Sequence, residues 1–362
     1  MPAGSSSRVL YLHIGTQKTG TTTLQNLFRR NRDLLAKHDL FYPTAPGGSN
    51  HVGLMLYAIE RGRNLSLRTS IGLRSPEEVD EFNSTLMQRL QDEIEQSGCS
   101  KILMSNEHLS SHVTKAKDVR KFVDDLRRIC PDIRVVIYLR PQYELVLSAY
   151  SQAVKSGRAK PMKVELDEET HFYNYDIMLN LWEMALGIEN IRVRLFRRDE
   201  FAEGSLIADF FRTIDMDVPE GLDVPGALNP SFDAYTLEFA RTANAIIPRE
   251  QRVGTGPWLS KLLGALERIS TGPKFTAAGP ELAELDRTFQ ASNAEVARRY
   301  FPDRNGVLFQ QFNELDRPSS PPLTTQKVVE LTIALWLDAT ERKRKRPRPA
   351  ERKRKRRREV KQ

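Results

Sequence analysis

Three groups of residues in this chain could carry chemistry. The first is Gly15-Thr16-Gln17-Lys18-Thr19-Gly20-Thr21-Thr22, a run of small, hydroxylated and cationic residues with a glycine at each end of the turn. Backbone N–H groups of such a turn, with the positive end of a following helix, suit a phosphate. The second is Arg140, followed eight positions later by Ser148. Arginine offers a rigid donor fork to phosphate oxygens, and serine adds a hydroxyl. The third is a set of groups able to accept a proton: Glu107 and His108, and, after a Gly-rich loop, His51.

The elements that position these groups are legible. Val9 to Ile14 is apolar and β-rich, the pattern of a strand buried on both faces. Beyond the turn, Leu24, Leu27 and Phe28 recur at helical spacing. Lys101–Ser105 reads as a short strand whose end carries Glu107 and His108. Arg134–Leu139 reads as a buried strand ending at Arg140, at the carboxyl edge where open α/β sheets bind ligands. Pro141 suits a first helical position, and Tyr143, Val146, Leu147, Tyr150 and Val154 make an apolar helical face that leaves Ser148 off it. Further strands are expected at 40–42 and 191–196. Helices are expected to about Ala36 and over 52–59, 75–95, 116–129, 173–186 and 206–214. Arg61–Ser75 has little period and reads as a mobile surface segment. Alternating strands and helices predict an α/β fold with a parallel sheet. After Pro219 the pattern turns helical, at 234–246, 281–299 and 325–339.

The chain has 362 residues, 55 Lys/Arg and 47 Asp/Glu. Residues 341–362 hold 14 of the basic and 3 of the acidic residues, so the remainder carries 41 basic against 44 acidic. The basic character belongs to the tail, a low-complexity run that cannot bury a core. It suggests attraction to an anionic surface: membrane lipid, acidic glycan or nucleic acid. No apolar run of the ~18 residues needed for a membrane span exists. Met1–Ser7 lacks the features of a secretory signal, and a cytoplasmic location is expected, with the inner membrane surface as a peripheral option. Cys99 and Cys130 are expected to be reduced and structural. None of the obvious metal motifs is present.

A Walker A loop reads G-x-x-x-x-G-K-[ST]. Here Gly15 and Gly20 have that separation, but Thr21 stands where lysine belongs and Lys18 lies inside the loop. The variant resembles the 5′-phosphosulfate loop of sulfotransferases that use 3′-phosphoadenosine 5′-phosphosulfate (PAPS). The Arg140-Pro141-x5-Ser148-x-Tyr150 spacing resembles their 3′-phosphate motif. Leu103–Ser110 is similar to the strand-plus-glutamate segment of bacterial and glycan-type members, and Ile191–Phe211 to the strand–helix that closes their sheet. The stretch Arg252-Val253-Gly254-Thr255-Gly256-Pro257-Trp258 is one residue short of the corresponding cytosolic-branch loop and lacks its acid, which counts against that branch.

The resemblance covers about residues 8–215. It implies a P-loop-like sulfotransferase core over 1–218, followed here by a helical extension or cap over 219–340 and a disordered basic tail over 341–362. It implies PAPS as donor co-substrate with no metal, bound by Gly15, Thr16, Gln17, Lys18, Thr19, Gly20, Thr21, Thr22, Arg140 and Ser148. Lys18 would contact the bond that breaks. The family uses glutamate or histidine as the base, so Glu107 ranks first, His51 second and His108 third. The acceptor would be a hydroxyl, in this branch a glycan or glycolipid. The competing reading is an ATP-dependent P-loop kinase-like phosphotransferase, against which Thr21 and the Arg140…Ser148 pair both count.

Overall fold

The computed structural model describes residues 8–60, 63, 65–163, 170–226, 232–247, 257–277, 279–310, 312 and 320–345. Residues 252–256 and most of the basic tail lie outside the described residues. By its contacts the chain divides into two units. One comprises Met1–Leu145, Glu165–Leu228 and Ala283–Phe312; the other comprises Val146–Val164, Asn229–Leu282 and Asn313–Gln362.

The first unit is built on five strands: β1 (Val9–Gly15), β2 (Leu40–Phe41), β3 (Lys101–Ser105), β4 (Asp132–Leu139) and β5 (Ile191–Leu195). Their order is β2-β3-β1-β4-β5 and every pairing is parallel. Side chains alternate between the two faces of a strand. Leu10, Leu12 and Ile14 therefore join one core with Ile102, Met104, Val135 and Ile137, while Tyr11 joins the other with Leu103, Val136 and Tyr138. A strand that feeds two cores has no polar alternation, which is why these segments read as buried runs.

Helices α1 (Thr21–Arg30) and α2 (Arg32–Lys37) cover the second face. They are separate helices, where the sequence suggested one; Asn31 divides them, and its amide donates to the carbonyls of Leu27 and Asp223. Leu24, Leu27 and Phe28 are fully buried there, each contributing about 1.5–3 kcal/mol. The first face is covered by α3 (Val52–Ala58), α5 (Pro76–Ser97), α7 (Ala116–Arg127) and α9 (Tyr175–Leu186). Between α3 and α5 lies α4 (Leu65–Ser70). This corrects the expectation of a mobile segment: Arg68 is 1% exposed and donates to Leu56 O at 2.9 Å. Periodicity missed it because its anchor is a buried cation bonded to backbone carbonyls. α5 begins as expected, with Ser75 and Glu78 forming a reciprocal cap ahead of Pro76.

The short α6 (His108–His112) follows β3, and α8 (Gln142–Lys155) and α10 (Leu206–Thr213) follow β4 and β5. Fully buried Asp209 on α10 accepts from Tyr138 Oη at 2.7 Å and from Arg194 Nε at 3.1 Å, tying α10 to β4 and β5.

The second unit contains α11 (Ala234–Ile246), α12 (Pro257–Ile269) and α15 (Thr325–Lys345), around Tyr150, Val154, Phe232, Leu237 and Leu266. The sequence reading did not include α12. Between these lie α13 (Gly279–Thr288) and α14 (Gln290–Tyr300). The expected boundary at residue 219 does not describe the contacts. The chain returns to the sheet unit over 283–312, where Val296, Ala297, Leu308 and Phe309 join the first core. Gln142 and Asn293 exchange amide hydrogen bonds of 2.8 and 3.0 Å. The expected tail boundary also moves, because α15 continues to Lys345.

Candidate functional site

Central β1 lies between β3 and β4; the chain leaves β1 toward β2 on one side of it, and β3 leads on to β4 on the other. Its carboxyl end is thus the switch point where open α/β sheets leave a crevice. Three chemical groups meet there because three neighbouring strands end there. β1 ends in the Gly15–Gly20 turn, β3 in Asn106-Glu107, and β4 in Arg140.

The turn is fastened from below. Thr16 donates to Tyr138 O at the end of β4 through both its N–H and its Oγ1, each at 3.0 Å. Thr19 Oγ1 donates to Thr16 O at 2.6 Å, and both threonines are fully buried. Lys18, between them, has a φ of 66°, left-handed for a non-glycine residue, a conformation that costs energy and is held by its surroundings. Gly20 has φ 75°, a left-handed conformation that strains a side-chain-bearing residue, and a Cβ there would press on the Leu206 side chain, so the position favours glycine. Gly20 is also the N-cap of α1 and supplies no capping side chain, which leaves the first amides of the helix to a ligand or to water. Thr21 is buried, whereas Thr22 is exposed.

Arg140 is bound to the same turn: its Nη1 donates to Lys18 O at 2.8 Å. Its Nη2 pairs with Glu144 Oε2, one helical turn on, at 2.7 Å. The guanidinium lies 5.6 Å from the centre of the Phe196 ring, and Tyr175 Oη donates to the Arg140 carbonyl at 2.6 Å. Arg140 Nε is buried with no partner. Ser148 is half-buried on α8 and belongs by contacts to the second unit.

Glu107 sits on the other side of the turn. A Cβ on Gly15 would approach its carbonyl oxygen to 3.1 Å. Its carboxylate accepts from Gln25 Nε2 at 2.7 Å and from Asn50 Nδ2 at 3.2 Å. Its side chain is 15% exposed. Gln25 reaches it from α1 and also contacts Ser105 Oγ at 3.3 Å. Gln25 and Asn50 were not among the sequence candidates. The only signal was position: Gln25 lies one turn beyond Thr21, and Asn50 immediately precedes His51.

His51 is corrected as a candidate base. It is fully buried, its Nδ1 accepts from Ser105 N–H at 3.1 Å, and its Nε2 donates to Pro43 O at 3.0 Å. Burial holds its pKa down to about 3. Both nitrogens are engaged in joining the 43–51 loop to the end of β3, so neither can receive an acceptor proton. His108 stays at the edge of the site. Its Nδ1 is 3.1 Å from Gln17 Nε2, and its Nε2 is 4.0 Å from Glu107. Gln17 also donates to Ser111 at 2.9 Å, so its side chain is turned toward α6. His13, beneath the turn, is fully buried against Ser105 and Phe210, with its pKa lowered by burial to about 4.

Fold and site together define a doubly wound α/β protein whose cationic, hydroxylated and carboxylate groups gather at the carboxyl edge of its central strands. No protein-family model matches the chain. An uncharacterized protein of Archaeoglobus fulgidus is 27% identical over 216 residues, a match spanning 58% of this chain and 56% of that relative. A crystal structure of a sulfotransferase from Alicyclobacillus acidocaldarius aligns with 72% of this chain and 96% of its own length, at 16% identity and a TM-score of 0.37.

Proposed function

We propose that this protein transfers a sulfuryl group from PAPS to an acceptor hydroxyl on a carbohydrate or glycoconjugate. The observation that carries the reading is the strand–turn–helix of residues 9–30, with its lysine inside the turn, fastened to Arg140 on one side and to Glu107 on the other through Gln25. The residues suit the donor. Arg140 keeps a buried Nε without a partner beside the turn, and Gly20 offers uncapped helix amides.

PAPS supplies the sulfuryl group and departs as adenosine 3′,5′-bisphosphate. Lys18 neutralises the charge that grows on the bridging oxygen, a stabilisation strongest in the transition state. The α1 amides with Thr21 and Thr22 hold the 5′-phosphate. Arg140 and Ser148 are the residues for the 3′-phosphate, a pairing that rests on their spacing and on the resemblance. Glu107, kept at the strand edge by two side-chain amides, accepts the proton of the acceptor hydroxyl, with His108 as the second candidate. The reading places the protein in the cytoplasm, where its two buried cysteines, Cys99 and Cys130, stay reduced.

Thermal unfolding with added nucleotides tests the donor. Adenosine 3′,5′-bisphosphate should raise the melting temperature, because a ligand at a hundredfold its Kd stabilises the folded state by about 2.7 kcal/mol. AMP, which lacks the 3′-phosphate, should do much less. Equal shifts from the two would remove the 3′-phosphate assignment, and a larger shift from ATP with Mg²⁺ would favour a phosphotransferase. Labelled PAPS with an acceptor panel then identifies the hydroxyl.

A further inference from the structure

We infer that α15, together with the basic run that follows it, docks this protein onto an anionic lipid bilayer. One face of α15 is spoken for. Leu331 is buried, Leu335 packs against the core of the second unit, and Asp338 takes a two-point ion pair from Arg268 at 2.8 and 2.6 Å. The other face carries Val329, Ile333, Trp336 and Leu337, which are 52%, 53%, 66% and 51% exposed. Their spacing of i, i+4, i+7 and i+8 puts all four on one stripe of roughly 100°. Single exposed apolar residues need no explanation, but four aligned ones including a tryptophan mark a binding surface.

Charge decides what covers the stripe. Immediately after Thr340 the sequence turns basic, and residues 341–362 hold 14 Lys/Arg against 3 acidic residues. An apolar helical stripe with an adjacent polybasic run combines two membrane signals, insertion at the headgroup level and attraction to anionic lipid, and stable anchoring takes two. Tryptophan suits the same interface, because its ring is apolar and its N–H stays wet. A second copy of the chain fits less well, since pairing two α15 faces would bring two strongly basic runs together. A nucleic acid would match the charge but leave the apolar stripe in water. Among the described residues no helix is long and apolar enough to cross a membrane. This inference does not depend on sulfuryl transfer.

The test is co-sedimentation of the full chain with vesicles of phosphatidylcholine alone or with roughly 30% phosphatidylserine, while tryptophan emission is followed. The expected result is binding to the anionic vesicles only, with a blue shift and quenching of Trp336 by a lipid-borne quencher. Trp182 and Trp258 also emit, so the Trp336→Phe variant supplies their background. The double substitution Ile333→Ser, Trp336→Ser should weaken co-sedimentation about tenfold or more, and Ile333→Ser alone should reduce the Trp336 blue shift. The melting temperature should stay unchanged, since both side chains are exposed. Raising the salt should release the protein, as screening shortens the reach of the basic run. Undiminished binding of the double variant, or no lipid quenching of Trp336 in the parent chain, would overturn the inference. So would equal binding to neutral vesicles. A parent dimer that the double variant splits, without vesicle binding, would assign the stripe to a second copy instead.

Discussion

Glu107 is a carboxylate held by two side-chain amides, with His108 Nε2 at 4.0 Å. Gln25 and Asn50 fix its orientation at 2.7 and 3.2 Å, and its partial exposure leaves room for an acceptor hydroxyl. Glu107→Gln keeps the volume but not the proton acceptor, and Gln25 or Asn50 can turn its amide to offer oxygen instead. We predict a loss of kcat of about 10²–10⁴, with the bisphosphate-induced melting shift retained. Full turnover in the variant, measured with labelled PAPS, would move the base to His108. His51 shows how a residue type alone misleads. Its position after a Gly-rich loop was legible, but its two hydrogen bonds, to Ser105 and Pro43, exist only once β3 and the 43–51 loop are in place.

At the scale of elements, the proposed donor site brings in the first turn of α8. Arg140 and Glu144 form an i, i+4 pair at 2.7 Å, while the same guanidinium holds the Lys18 carbonyl. A 3′-phosphate at Arg140 would therefore meet a carboxylate already there. Like charges at such a distance oppose each other, so Glu144→Gln should tighten adenosine 3′,5′-bisphosphate by about two- to fivefold and leave AMP unaffected. Calorimetric titration of both nucleotides checks this; weaker bisphosphate binding would show that Glu144 positions Arg140 instead. Strands are legible in the sequence to within about two residues: the central ones because burial on both faces leaves an apolar run, and β5 because Ile191, Val193 and Leu195 alternate with Arg192 and Arg194. α4 is not, because Arg68 looks like a surface residue until its carbonyl partners surround it. α12 was also missed, although Leu262, Leu263 and Leu266 have helical spacing and meet the core of the second unit.

For the molecule as a whole, the two buried histidines couple stability to pH. His51 and His13 have pKa values lowered by burial to about 3 and about 4, against about 6.5 in an unfolded chain. The unfolded chain thus binds more protons than the folded one in this window. Their contribution is complete above about pH 6.5 and is lost as pH falls toward the folded values. The melting temperature should decline steadily from neutral pH toward pH ~4, and neither ring should titrate by NMR above pH ~5. A ring titrating near 6.5 would contradict its burial. The same scale decides domain organisation. Residues 283–312 belong with the sheet unit and 146–164 with the other, an interleaving that no change in composition announces.

The sequence by itself determined the parallel α/β class, the five strands, the turn with Lys18 in place of the later lysine, and the placement of Glu107 and Arg140 at strand ends. Each of these follows from near neighbours in the chain, through side-chain alternation, helical spacing and the demands of a tight turn. Only the tertiary structure decided which strand ends are adjacent. That adjacency brings Gln25 to Glu107 across 82 residues and Arg140 to Lys18 across 122. It also buried His51, set Glu144 on Arg140, and left one face of α15 in water. These contacts depend on strand order and on which surfaces remain once the two cores are filled, and neither is written in the local pattern of residues.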